Sequence, residues 1–524
     1  MEKKELFRSL SLSKMNIDKK KWGVLPLSCF YTQICISRLE RRNIVASLKE
    51  LFSPRDMSQG LPWKRIVEFS VPMLIGNIAQ QLYNTVDSIV VGKYVGDNAL
   101  AAVGSAGPIM NLLMVFFIGI ATGAGIMVSQ YFGAKDRDSL SITIGNCITL
   151  TILSSVFMMV VGPLIARPLL SLMNTPASII DWCANYLTIF FLGCAGFIFY
   201  NMFSGILRGL GDSFSALAFL VLATALNIGL DIWFVAGLRM PGVSGVALAT
   251  VLAQAISAVF CFAKLLKMRS VFDMKRQYLR LHGEYVGRIV KLGLPSGLTQ
   301  AIFSLAMVVV QSLTNSFGEL FIACNVIIMR IDGFAMMPNF TFGQAMTTYT
   351  GQNVGAGRID RVHEGTRQGA FIAVGTSVVL VAIILLLGKY LMMAFTDTPE
   401  LINMSVRMIR ILAAGYVAMA LTQVYSGVMR GAGDTVTPMW ISLITTVVLR
   451  IPLAYGLAYL TRSAENPNGR PESLFISLLT CWVIGAFINF FFFKKGKWRR
   501  KAEEMFQAYP AASADSAEET KKAE

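Results

Sequence analysis

The chain has 524 residues, of which 54% are hydrophobic and only 15% charged, and its mean hydropathy is +0.58. A soluble domain carries about a quarter charged residues, so the composition excludes that class and points to a chain that crosses a membrane many times. The formal charge of +16 would suit a nucleic-acid binder, but the basic residues cluster between apolar runs rather than on a soluble surface, which excludes that class too.

Residues 1–60 form a basic extension. Its apolar patch at 22–37 is too short to span a bilayer, Arg38, Arg41 and Arg42 follow it, and no small-residue cleavage site does. The stretch is expected to be a disordered extension or a mis-assigned start, with Met57 the favoured initiator. Apolar runs then recur at 66–92, 98–129, 140–166, 180–206, 214–237, 243–264, 288–314, 320–349, 367–393, 403–429, 437–460 and 473–493. Each can cross a hydrocarbon core of about 30 Å, and continuous rather than alternating apolarity favours helices over a barrel. The expected fold is an all-α integral membrane protein with twelve transmembrane helices in two pseudo-symmetric six-helix lobes. Residues 61–264 make the first lobe, 265–287 a linker, 288–495 the second lobe and 496–524 a charged tail. Lys264 to Lys291 and Lys494 to Lys501 crowd two connections with positive charge, whereas the opposite loops carry few basic residues, such as Arg167, Arg239 and Lys389. The positive-inside rule therefore puts the linker and both termini in the cytoplasm of a multi-pass cell-membrane protein.

The two lobes follow from an internal repeat. LRGLGDS at 207–213 matches MRGAGDT at 429–435, an offset of 222, and at the same offset within one residue SQYFGAKD at 129–136 faces TGQNVGAG at 350–357. An even number of spans per repeat makes the halves parallel copies around an axis along the membrane normal, a geometry suited to rocking about a shared cleft. The RGxGD strings read first as tight turns whose Asp caps the next helix. The alternative is that Arg208 and Arg430 gate the lobes against acids of facing loops.

No phosphate-binding GxxxxGK[ST] loop is present, so ATP is not the direct fuel. The eight cysteines are scattered without metal-ligand spacing, and His282 and His363 both lie in connections, so neither an enzyme constellation nor a histidine relay is visible. Uphill transport would need a cation site in the membrane, and buried acids are the candidates. In the first span Gly76, Gln80, Tyr83 and Asp87 recur at helical spacing on one face. In span five Asn227 and Asp231 lie one turn apart. The repeat places Val309 or Val310, Leu449 and Leu453 at the positions equivalent to Asp87, Asn227 and Asp231. Polar groups in one copy only point to function, against the alternative of hydrogen-bonded glue between helices. Asp332 in span eight, two residues from Arg330, is equally an ion-pair partner or a transport residue.

With Pro72 fifteen residues before Asp87, the twin RGxGD loops, the GAK and GAG loops and Asn-x3-Asp in span five, the sequence resembles the prokaryotic-type multidrug and toxic compound extrusion (MATE) family from residue 60 to residue 495. The resemblance implies two lobes around a V-shaped cleft and export of organic, often cationic, small molecules in exchange for H⁺ or Na⁺. It carries the family's acid onto Asp87, its tyrosine onto Tyr83, its Asn and Asp onto Asn227 and Asp231, and a span-six hydroxyl onto Thr250. A possible Na⁺ would sit at Asp87, Asp231 and Asn227. The chain departs from members with coupling acids in spans seven and ten, since span seven is acid-free and span ten offers Tyr416 and Gln423. The expectation is a monomeric antiporter, not an enzyme, with no cofactor beyond its coupling ion. The alternative is a flippase for lipid-linked saccharide or another amphiphile.

Overall fold

In a bilayer each backbone N–H and C=O must be bonded within the chain, and the apolar runs meet that demand as helices. A computed structural model describes residues 53–507 apart from 92–94, 96, 174, 239, 241–242 and 465, and among the described residues there is no strand. The extension up to residue 52, and the tail from 508 onward, lie outside the described residues.

The first half-chain holds α1 (Pro62–Val90), α2 (Asp97–Gly133), α3 (Arg137–Leu172), α4 (Ile180–Leu192), α5 (Ala195–Gly209), α6 (Ser213–Ile232) and α7 (Ser244–Lys267). The second holds α8 (Gly283–Ser316), α9 (Glu319–Gly355), α10 (Ile359–Met393), α11 (Pro399–Gly431), α12 (Val436–Leu443), α13 (Arg450–Leu460) and α14 (Glu472–Lys495), followed by α15 (Lys497–Gln507). Among the described residues ten helices are long and apolar enough to cross a membrane, and the pair α4 and α5 makes an eleventh span bent by 53°. Helix α1, 29 residues long and made less apolar by Asn77, Gln80 and Gln81, is not among these and takes the place of the first of the twelve expected spans. The bend was not visible in the apolar run 180–206. Its cause lies at Gly193 and Gly196, where the chain passes so close to Val251 and Ala255 of α7 that a side chain on either glycine would collide.

The turns after α2, α5, α9 and α11, the connection 268–282 and α15 share one lysine- and arginine-rich end of the bundle, the basic end. There each half lends its first helix to the other. Ile66, Phe69 and Met73 of α1 are buried with Phe342, Met346 and Val424 of the second half. Ile289 and Leu292 of α8 are buried with Ile120, Tyr131 and Ile144 of the first. Residues 54–60 also pack here, with Met57 buried among the second half's side chains and its N–H donating to Gln352 Oε1 at 2.7 Å. The linker is docked in the equivalent place on α3, where Asp273 N–H donates to Ser141 Oγ and Thr149 Oγ1 to the Leu279 carbonyl. Residues 497–507, read from sequence as the start of a charged tail, form a helix pinned by the buried Trp498, which stacks on Phe493, and by Lys501 on Asp434 at 2.8 Å.

Candidate functional site

The RGxGD strings are turns. Gly211 and Gly433 take the left-handed φ of +82° and +91° that a side chain disfavours. Asp212 then caps α6, accepting from Ser215 N–H at 2.8 Å, and Asp434 accepts from Thr437 N–H at 3.3 Å. Arg208 donates to Ser204 of its own helix at 2.7 Å, and Asp212 and Asp434 are joined to Lys264 and Lys501. Among the described residues neither Arg208 nor Arg430 pairs with an acid of the facing lobe.

Glutamine joins the lobes instead. Gln130 Nε2 of α2 donates to the Gly431 carbonyl that ends α11, at 2.9 Å, and Gln352 Nε2 of α9 donates to the Gly209 carbonyl that ends α5, at 3.0 Å. Each residue of one pair is the repeat equivalent of a residue of the other. Helix-terminal carbonyls have no partner in their own helix, which makes them natural acceptors for a neighbouring lobe. Gly133 and Gly355 allow the approach, since a side chain on Gly133 would strike the Gln352 carbonyl and one on Gly355 the Gln130 carbonyl. Asn77 of α1 adds a bond to Thr341 of α9 at 2.9 Å. The lobes are therefore latched at the basic end. Sequence reasoning missed the latch, although the shared glutamine stood inside the two strings that identified the repeat.

In the first lobe Asp231 and Asn227 are fully buried on α6. With the Asn227 amide turned so that both its ends are satisfied, its nitrogen donates to Asp231 Oδ2 at 3.0 Å and its oxygen accepts from Thr250 N–H at 3.2 Å. Thr250 is buried on α7, and Gln254, one turn further along the same face, is buried too. Its Oε1 has no hydrogen-bond partner among the described residues. The sequence reading passed over Gln254, although its spacing of four from Thr250 was the available signal. The side chains of Tyr83 and Asp87 lie outside the described residues, but their helix does not. Gly76 of α1 sits against Leu217 and Leu220 of α6. Asp87 follows Gly76, and Asp231 follows Leu220, by the same eleven residues, about three turns or 16 Å. Both helices run from the basic end, so positions 87 and 231 stand at one level above a shared contact. Gln80 is half-buried one turn from Gly76.

Asp332 stands apart, in the second lobe. Its Oδ1 is sealed from solvent, and around it lie Tyr416 of α11 and Arg450 of α13, both buried and each an electrostatic partner of the carboxylate. Asp332 Oδ1, the Tyr416 hydroxyl and Arg450 Nε all lack hydrogen-bond partners among the described residues, and Arg450 Nη1 rests on Met307 Sδ at 3.6 Å. Among the described residues Asp332 forms no ion pair within 4 Å; Arg450 is a basic group that acts on it through charge, while Arg330 is exposed. Arg450 was legible as a lone basic residue inside span eleven, one position past Leu449, the equivalent of Asn227. Each polar centre adjoins a π-helical turn, Trp233–Gly237 after Asp231 and Ile444–Leu449 before Arg450. Such turns loosen the helical ladder and recur at functional sites.

The MatE family model matches residues 72–233 and again 295–456, once per half. The chain is 29% identical over 434 residues to the probable multidrug resistance protein YoeA of Bacillus subtilis, covering 81% of this chain and 94% of that protein. It is 25% identical to the probable multidrug resistance protein NorM of Thermotoga maritima, covering 84% and 94%. Among solved structures, an outward-facing multidrug resistance MATE family transporter of the MOP superfamily superposes with a TM-score of 0.78 at 24% identity, over 87% of this chain and 99% of that one.

Proposed function

The chain belongs to the MatE family of membrane transporters, and from that premise we propose that it is a cation-coupled antiporter exporting organic, often cationic, small molecules by alternating access. The observation that carries this reading is a fully buried carboxylate, Asp231, at the level of a second acid on the adjoining helix, in one lobe only. Two acids in a low-dielectric interior repel one another and lose hydration, and an arriving H⁺ or Na⁺ offsets both costs. Asp231, Asn227 and Thr250, with Asp87, Tyr83 and Gln80 from α1, supply the oxygen atoms for either ion.

Coupling then follows from linkage. A cation that changes the preferred packing of α1 against α6 changes the affinity of the central cleft, and substrate changes cation affinity by the same factor. Helix α1 also carries Asn77, which bonds across the lobes, so a shift of α1 bears directly on the latch. The positive-inside rule puts the basic end in the cytoplasm, so the latched arrangement is the one open to the outside. In the second lobe the buried Arg450 acts on Asp332 through charge, so this acid needs a coupling ion less than Asp231 does.

The deciding experiment loads proteoliposomes with a fluorescent organic cation and imposes a proton gradient or a sodium gradient separately. Efflux driven by one gradient identifies the ion. Absence of movement under both would overturn the antiport reading.

A further inference from the structure

On the flank of the bundle, between the start of α1 and the basic-end third of α10, lies a groove of ≈ 950 Å³ lined by Trp63, Glu364, Arg367, Gln368, Phe371 and Val374. Glu364 and Arg367 are exposed and stand about one turn apart on α10, and among the described residues no ion pair joins them. Phe371 is 82% exposed and Trp63 47%. Helix α10 starts at the basic end, so at 1.5 Å per residue Glu364 lies about 8 Å along it, Arg367 about 12 Å, Phe371 about 18 Å and Val374 about 22 Å. Moving into the membrane, the groove therefore presents an anion, then a cation, then an aromatic and an aliphatic surface. Trp63 lies at the rim, where amphipathic rings settle at headgroup level.

We infer that this groove is a site for one glycerophospholipid with a primary-amine headgroup. In such a lipid the ammonium lies outermost, the phosphate below it and the acyl chains below that. That order matches Glu364, Arg367 and the Phe371–Val374 surface. An anionic glycerol headgroup brings no cation to Glu364, and a trimethylated amine brings no N–H donor, so charge and hydrogen bonding both select the amine. Occupancy also reaches α1. Glu364 Oε1 accepts from Gln368 Nε2 at 3.0 Å, and Gln368 Oε1 accepts from Trp63 N–H, one of the unpaired donors of the first turn of α1, at 2.8 Å. A lipid ammonium on Glu364 thus meets the same side-chain relay that tethers the start of the helix carrying Gln80, Tyr83 and Asp87. This inference rests on the membrane fold and is independent of the coupling ion.

The test is native mass spectrometry of the full chain released from bilayers holding equal amounts of ethanolamine, choline and glycerol phospholipids of identical acyl chains. The expected result is about tenfold preferential retention of the ethanolamine lipid, the selectivity of one charge-assisted hydrogen bond. Glu364→Gln should abolish the preference, and Arg367→Gln should weaken retention of all three. Ethanolamine lipid with bromine in the upper acyl chain should quench tryptophan emission more than its choline counterpart, and Trp63→Phe should remove that difference. Equal retention of the three lipids by the unaltered chain, or an ethanolamine preference that survives Glu364→Gln, overturns the proposal.

Discussion

Gln130 and Gln352 are the same residue of the two repeats, and each reaches across the molecule to the last carbonyl of a helix in the opposite half, Gly431 and Gly209, at 2.9 and 3.0 Å. The two bonds are alike, but their surroundings are not. Gln352 Oε1 also accepts the buried Met57 N–H at 2.7 Å, whereas Gln130 Oε1 accepts at 3.4 Å from the partly exposed Arg288. Gln130→Ala should loosen the latch by about 1 kcal/mol. Gln352→Ala should cost about 1–3 kcal/mol more by stranding a buried donor. Distances between spin labels placed on the two lobes measure the shift, and equal shifts for the two variants would contradict this account.

Gly355→Ala should oppose latching outright, because the added methyl meets the Gln130 backbone, which cannot move aside as a side chain can. The same labels should report a population with the basic end parted. A latched Gly355→Ala chain would show that the helices can approach differently.

Asp231→Asn and Asp87→Asn should each abolish gradient-driven efflux while leaving expression and melting temperature nearly unchanged, since an amide is isosteric and relieves a buried charge. Thr250→Val should reduce coupling less, because the Thr250 bond at issue comes from its backbone N–H. Wild-type efflux by both Asn variants under either gradient would reduce the acids to packing residues.

In the second lobe the expectation is different. Asp332→Asn or Arg450→Gln alone should destabilise the fold by leaving a buried charge less well compensated, and the double variant should regain most of that loss. The double variant should also keep its ion dependence, because the buried cation goes together with the carboxylate it acts on. Thermal unfolding and efflux under each gradient measure the two effects, and a stable double variant that has lost coupling would give Asp332 a direct role.

The linker offers a pH prediction. A hydrogen bond from Arg137 at 2.8 Å, then the charges of Arg137 and Lys275, hold Asp273 below its ordinary value of 3.8. A carboxylate with a lowered folded pKa stabilises its docked state above the ordinary value, and that contribution is lost as pH falls through the lowered one. Protection of the linker from protease should therefore be complete at neutral and mildly acidic pH and fail only below about pH 3.8. Asp273→Asn should remove this acid dependence, and protection lost already near pH 6 would point to another group.

The helix count and the twofold plan were legible because span length and the twin RGxGD strings report on them without tertiary knowledge. The bend at Gly193 was hidden because an apolar run looks the same straight or kinked. Helix α15 was hidden because Lys497, Arg499, Arg500 and Lys501 mask the short face formed by Trp498 and Ala502. Arg450 escaped because the comparison of repeats followed acids, and the equivalence that cleared Leu449 and Leu453 said nothing about a basic neighbour. The latch glutamines looked like ornaments of a turn, since the carbonyls they bond are 301 and 143 residues away along the chain.

The exchange between halves of the basic-end turns of their first helices bears on how the protein is made. Gly119 and Gly123 of α2 lie so close to Gly293 and Gly297 of α8 that a side chain on Gly119, Gly123 or Gly293 would overlap the facing backbone. Synthesis proceeds from the N-terminus, so the first six spans enter the bilayer before residues 283–297 exist. During that interval the α2 seam is open to lipid or to a neighbouring nascent chain, and the basic-end turns of α1 have no bundle to join. Each half completes the other only after the ribosome has passed the middle of the message, so the maturing protein cannot be released lobe by lobe.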